Sequence, residues 1–138
     1  MAIIGVRFGH VAFRTADAER SVRWYGEAFG AKKIYHAEAK GERPELMFLE
    51  FAKGQLVEFF TKGKNQSSES PDAIGYMHFC LVVDDLKQAL AHLATINVRP
   101  DRGPFTGRAL QQIAFISDPD GNVIELMEIP PDSPIYRE

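Results

Sequence analysis

The chain predicts an α+β fold built from two βαβββ modules, and two observations lead there. Strand-like and helix-like segments alternate in the order β-α-β-β-β, a polar linker, then β-α-β-β-β again. The chain also matches itself. Shifted by 68 residues, His10 falls on His78, Asp17 on Asp85, Val22 on Leu90 and Tyr25 on Leu93; near the end of each half the shift is 67, with Gly54 on Gly121, Leu56 on Val123, Val57 on Ile124 and Glu58 on Glu125. Two copies of such a period make a duplication, too short for a solenoid. The expected repeats are 5–61 and 75–129 of a single domain, 5–129, followed by a Pro-rich tail, 130–138, expected to be extended.

Two segments carry a helical stripe. Ala18, Val22, Tyr25 and Phe29 recur at spacings of 4, 3 and 4, with Thr15 or Asp17 as N-cap and Gly30 suited to a left-handed C-terminal position. Leu86, Ala89, Leu90 and Leu93 form the second stripe, capped by Asp84 or Asp85 and ending at Asn97. The strands are expected at 5–14, 31–39, 46–51, 55–61, 75–83, 98–102, 109–116 and 122–129. The polar stretch 62–73, with Ser, Lys, Gly, Asn, Gln and Pro, reads as a loop. Asp118-Pro119-Asp120-Gly121 reads as a turn, Pro presetting φ and Gly taking the position of positive φ.

Alternate strand residues share a face, so His10 goes with Phe8, Ala12 and Arg14, Glu58 with Leu56 and Phe60, His78 with Tyr76 and Cys80, and Glu125 with Val123 and Met127. The opposite faces, with Val11, Phe13, Val57, Phe59, Phe79, Leu81, Ile124 and Leu126, suit the helix stripes. The four polar residues therefore point away from the helices. Carboxylates among apolar neighbours are costly if buried unpaired. Two imidazoles and two carboxylates, His10, Glu58, His78 and Glu125, remove that cost around one divalent ion, with Zn, Ni, Co, Mn or Fe all compatible with the donor set. His92, off its helix stripe, and His36, without a counterpart in the second half, stand outside this pattern, and Cys80 reads as a small buried hydrophobe.

Composition narrows the partners. The 138 residues carry 16 Lys+Arg against 19 Asp+Glu, a net charge of −3, with 45% hydrophobic residues. That is an ordinary globular composition, and with no basic block it argues against nucleic acid or anionic membrane as partner. A small-molecule substrate is the expected ligand. One cysteine, no secretory pattern at the start and no apolar run near the ~20 residues of a membrane span lead to the expectation of a cytoplasmic protein.

The residues also resemble a known family. Gly9-His10-Val11-Ala12-Phe13-Arg14 followed by a helix with Ser21, Trp24-Tyr25 and Phe29-Gly30, then Met77-His78-Phe79 running into Val83-Asp84-Asp85-Leu86, then Asp118-Pro119-Asp120-Gly121-Asn122-Val123-Ile124-Glu125-Leu126, look like the vicinal oxygen chelate superfamily. The resemblance spans roughly 5–129 and is nearest to the bacterial glyoxalase I pattern, because all four metal positions are filled. It implies paired βαβββ modules in a cup-shaped mixed sheet, a homodimer, and one divalent ion per site. It also implies a lyase or isomerase moving a proton through a metal-chelated enediolate of a 2-oxoaldehyde–thiol adduct, with Glu125 as the base and Glu58 as second choice. Arg14 matches an arginine that holds a glutathione carboxylate in that enzyme; Lys62 replaces an asparagine there, which leaves the thiol open. Phe8, Phe60, Tyr76 and Met127 are expected to line the site. The alternatives are an Fe(II) extradiol-type ring-cleaving dioxygenase using His10, His78 and Glu125, and a small-molecule or antibiotic-binding protein of the same fold.

Overall fold

A computed structural model describes residues 1–66, 70 and 72–138. The rest of the expected loop over 62–73 lies outside the described residues. Two compact units are present, residues 1–65 and 66–138. Among the described residues no helix is long and apolar enough to cross a membrane.

Unit 1 runs β1 (His10–Arg14), α1 (Ala18–Phe29), β2 (Lys32–Ala37), β3 (Leu46–Ala52) and β4 (Gln55–Phe60). Its sheet has the order β1-β4-β3-β2, with β1 parallel to β4 and the other pairs antiparallel. Unit 2 repeats this with β5 (Phe79–Val82), α2 (Leu86–Thr95), β6 (Arg102–Thr106), β7 (Gln112–Ser117) and β8 (Val123–Glu128), in the order β5-β8-β7-β6. The α+β class and the duplicated βαβββ order are as the sequence predicts, realised as two four-stranded mixed sheets.

Each helix begins on an aspartate. Asp17 Oδ1 accepts from Arg20 N at 3.0 Å, and Asp85 Oδ1 accepts from Gln88 N at 2.8 Å, satisfying N–H groups that have no partner within the helix. Gly30 ends α1 at φ 68°, in the left-handed region. Ser21, Tyr25 and Ala28 are the buried residues of α1. The Ser21 hydroxyl is satisfied by Thr15 at 2.6 Å, and the Tyr25 ring packs on Phe59 with centroids 5.2 Å apart. Leu86 and Leu93 are buried in α2, and Ala114, Ile116, Ile124 and Leu126 complete the unit 2 core. The Leu86 N–H donates to Glu128 Oε2 at 2.7 Å, tying the start of α2 to the last strand.

Three expectations are corrected. The strands expected at 5–14 and 75–83 are paired only over His10–Arg14 and Phe79–Val82, because their parallel partners β4 and β8 begin at Gln55 and Val123 and leave the earlier residues nothing to pair with. The strand expected at 98–102 lies at 102–106 instead. Gly103 and Pro104 are tolerated there because β6 is the sheet edge and breaks register between Arg102 and Phe105; with it the next strand starts at Gln112, after a loop in which Gly107 N bonds Gln111 O at 2.7 Å. Finally, the tail 130–138 is not extended. Ser133 N bonds Pro130 O at 3.0 Å and Tyr136 N bonds Ser133 O at 3.1 Å, giving two successive turns, and the buried Ser133 donates its hydroxyl to Ala109 O at 2.5 Å. The Asp118–Gly121 turn forms as expected: Asp118 Oδ1 accepts from Asp120 N (2.9 Å) and Asn122 N (2.8 Å), and Gly121 has φ 84°.

Candidate functional site

Parallel pairing sets the geometry of each unit's polar pair. In unit 1, Ala12 pairs with Glu58, and His10 lies two residues earlier on the same face. In unit 2, Cys80 pairs with Glu125, and His78 again lies two residues earlier. The first and last strands of each unit are neighbours, so an imidazole and a carboxylate far apart in the chain come together. His10 Nε2 is 3.6 Å from Glu58 Oε1, and His78 Nε2 is 2.8 Å from Glu125 Oε2. The second distance is a hydrogen bond, with the imidazole N–H donating to the carboxylate. The glutamate side chains are 13% and 14% exposed and the histidines 41% and 26%, so each carboxylate is the inner partner.

An aromatic ring stands behind each histidine. Phe48, opposite Glu58 on β3, meets the His10 ring edge-to-face at 5.3 Å. Phe115, opposite Glu125 on β7, meets the His78 ring at 5.2 Å in the same way. Both rings sit at the 67-residue shift, so the sequence carries a signal for these phenylalanines that strand alternation alone does not single out. Rings edge-on to imidazoles limit their rotation and keep Nε2 aimed at the carboxylate.

The donor chemistry fits a divalent transition ion. Each unit brings one imidazole nitrogen and one carboxylate oxygen together, a pair of donors that suits such an ion. Among the described residues no group of three or more His, Cys, Asp or Glu is gathered so as to hold a metal ion; at the duplicated positions each unit has one His–Glu pair.

The other expected site residues fall as follows. Arg14 is exposed at the end of β1; its Nη1 donates to Thr61 O at 3.1 Å and its Cζ lies 5.7 Å from the Phe60 ring centroid. Lys62 follows β4 with φ 60° and is exposed. Tyr76 lies before β5 and is 57% exposed, its phenol raised by burial of the hydroxyl and by the Asp118 carboxylate. Met127 pairs with Val82 and Ile113 on the face of Glu125. Phe8 precedes β1 and is 86% exposed. Cys80 was expected to be buried, yet its residue is exposed; desolvation of the sulfur and the Glu125 carboxylate push its thiol up to about 12, so it stays protonated at neutral pH. His36 has its own partner, Glu45 Oε1 at 2.8 Å, on the helix side of the unit 1 sheet together with Met47. Arg102 lies on β6 opposite Phe115, whereas the sequence predicts that strand at 98–102 and so gives Arg102 no such neighbour.

Residues 7–126 match the family model of the Glyoxalase/Bleomycin resistance protein/Dioxygenase superfamily. A lactoylglutathione lyase of Arabidopsis thaliana is 30% identical over 125 residues, 88% of this chain; the chain spans 44% of that relative's length. The lactoylglutathione lyase of Salmonella typhimurium is 30% identical over 126 residues, covering 89% of this chain and 93% of the relative. Among solved structures, a glyoxalase family protein from Enterococcus faecalis shares the fold at a TM-score of 0.78 and 20% identity, covering 91% of this chain and all of that one. The trypanothione-dependent glyoxalase I of Leishmania major superposes at 0.72 with 27% identity, covering 90% of this chain and 87% of that one.

Proposed function

The chain belongs to the glyoxalase/bleomycin resistance protein/dioxygenase superfamily, and from that membership we propose that it is a divalent-metal-dependent lyase or isomerase of the glyoxalase I type, acting on a 2-oxoaldehyde–thiol adduct. The observation that carries this reading is the imidazole–carboxylate contact made twice, at positions related by the duplication: His10 with Glu58 and His78 with Glu125. The relatives named lactoylglutathione lyase support the same class of reaction. His10, Glu58, His78 and Glu125 would hold the ion, two from each repeat, in a homodimeric protein whose residues 5–129 work as one domain. When bound, the ion supplies Lewis-acid polarisation of the substrate's neighbouring oxygens.

The chain's own groups do the rest. Glu125 accepts the proton from the substrate carbon on a carboxylate oxygen and returns it to the adjacent carbon, with Glu58 as the second candidate. Phe48 and Phe115 keep the imidazoles aimed. Phe60, Tyr76 and Met127 keep water from the carbon that loses its proton. Arg14, backed by Phe60, and Lys62 draw in a carboxylate on the thiol part of the substrate.

The test is metal analysis of protein purified without chelators, followed by turnover of a methylglyoxal–thiol adduct before and after metal removal. The expected result is one ion per site and turnover that chelation abolishes and metal restores. Oxygen uptake with a catechol and no isomerisation would replace this reading with a ring-cleaving dioxygenase. Tight ligand binding without turnover would replace it with a binding protein.

A further inference from the structure

We propose that Arg102 is a binding residue for a carboxylate on the substrate, the element of unit 2 that selects an anionic ligand. Arg102 pairs with Phe115 across β6 and β7, so it lies on the face that carries Glu125, Met127 and the ring against His78. Its Cζ stands 4.4 Å from the Phe115 ring centroid and 5.5 Å from that of Phe105. The Phe115 ring in turn meets the His78 ring at 5.2 Å. One aromatic ring thus separates the guanidinium from the imidazole of the polar pair.

Two further facts set this arginine apart from an ordinary solvated cation. Among the described residues its guanidinium makes neither a hydrogen bond nor an ion pair, although its residue is exposed. The adjacent carboxylate is occupied elsewhere, Asp101 Oδ2 accepting from Ser117 Oγ at 2.7 Å. Two rings fix the long side chain, so little rotamer entropy remains to be lost on binding, and the in-plane N–H fork is uncommitted. A planar fork of this kind matches a carboxylate bidentately. The duplication sharpens the point. The position equivalent to Arg102 is Tyr35, which pairs with Phe48 at a centroid distance of 6.4 Å and has a phenol where unit 2 has the guanidinium. The ring behind the histidine occurs in both units; the cation over it occurs in unit 2.

The inference deepens the proposed lyase reading by adding a charge requirement, and its test uses binding so that the two fail separately. The probes are S-methylglutathione and its dimethyl ester, with dissociation constants measured by calorimetry for the unmodified protein, Arg102→Gln and Arg102→Lys. The unmodified protein is expected to bind the acid at least tenfold more tightly than the ester. Arg102→Gln should cut that preference at least fivefold while leaving ester affinity within twofold, and Arg102→Lys should keep part of it. An unchanged acid-to-ester ratio in Arg102→Gln overturns the proposal and leaves Arg102 as a cover for its two rings, as does failure of the unmodified protein to discriminate or to bind either probe. A ratio that collapses in Arg102→Gln, in a protein that turns over no adduct, upholds this inference and removes the lyase reading alone.

Discussion

His10 and His78 stand in the same surroundings. Each lies two residues before the β-residue opposite a glutamate, and each has a phenylalanine edge-on from the next strand but one. Beyond that shared frame the units part. Unit 1 places its cation, Arg14, on its first strand β1, where unit 2 has Val82; unit 2 places Arg102 at the opposite edge of its sheet, on β6, where unit 1 has Tyr35. The helix cores differ too, an edge-to-face aromatic pair of Tyr25 and Phe59 against the aliphatic Leu93 and Leu126. What the duplication retains is what would hold an ion and aim an imidazole. What it varies is what meets a ligand's charge or fills space under a helix.

The largest effect should come from breaking the shared frame. His78→Ala is expected to abolish stoichiometric metal binding, and His10→Ala to do the same, read by metal analysis after gel filtration. Full retention of tightly bound metal by either variant would show that the two pairs do not contribute to one ligand set. The carboxylates come next. At saturating metal, Glu125→Gln should lower turnover by about 10²–10⁴-fold, because an amide still coordinates but cannot accept the proton, and Glu58→Gln should lower it less. The opposite ranking would move the base to unit 1.

The cores should differ by less. Tyr25→Ala should cost about 3–5 kcal/mol and Leu93→Ala about 2–5 kcal/mol by urea denaturation, with the aromatic site at the upper end. If Leu93→Ala proves the costlier, ring packing is not what holds α1. Cap removal tests sameness: Asp17→Ala and Asp85→Ala should each cost about 1 kcal/mol, since both accept from the third residue of the helix at comparable distances.

The smallest expected effect is a dependence on acid confined to unit 1. The hydrogen bond from His36 holds the Glu45 carboxyl below its usual value of 4.5. A carboxyl lowered in the folded state stabilises fully above its unfolded value, and that contribution is lost as pH falls through the lower folded value. Amide exchange along β2 and β3 should therefore quicken at pH below about 4.5, and Glu45→Gln should remove the change. At the equivalent place unit 2 has Gln112, so β6 and β7 should show no matching step.

The histidines and glutamates were legible because strand alternation and the duplication agree at those four positions and the parallel pairs are in regular register. The fold class followed from the same repeat. Arg102 and the faces of the outer strands were not legible, and the reason is local. Between Lys33 and Tyr35, and again between Arg102 and Phe105, the edge strands slip register. Lys33 pairs with Leu49 of the core while Tyr35 pairs with Phe48 of the opposite face, although simple alternation puts them together. A bulge is invisible to a count of every second residue. Cys80 differs for a separate reason: alternation puts it on the face of His78, while residue type alone suggests burial and the residue is exposed.

The parallel pairing of each unit's first and last strands has a kinetic consequence. β1 cannot find β4 until everything between them has been made and brought round, and the same holds for β5 and β8. Contacts of long sequence separation form late, after loop closure, and slow the folding of the topology that needs them. The hairpins β2–β3–β4 and β6–β7–β8 are local and can form early, whereas each histidine reaches its glutamate at the closing step. The polar pairs are thus timed as well as placed: the imidazole of each unit is made first, and it meets its carboxylate when the last strand docks on the first.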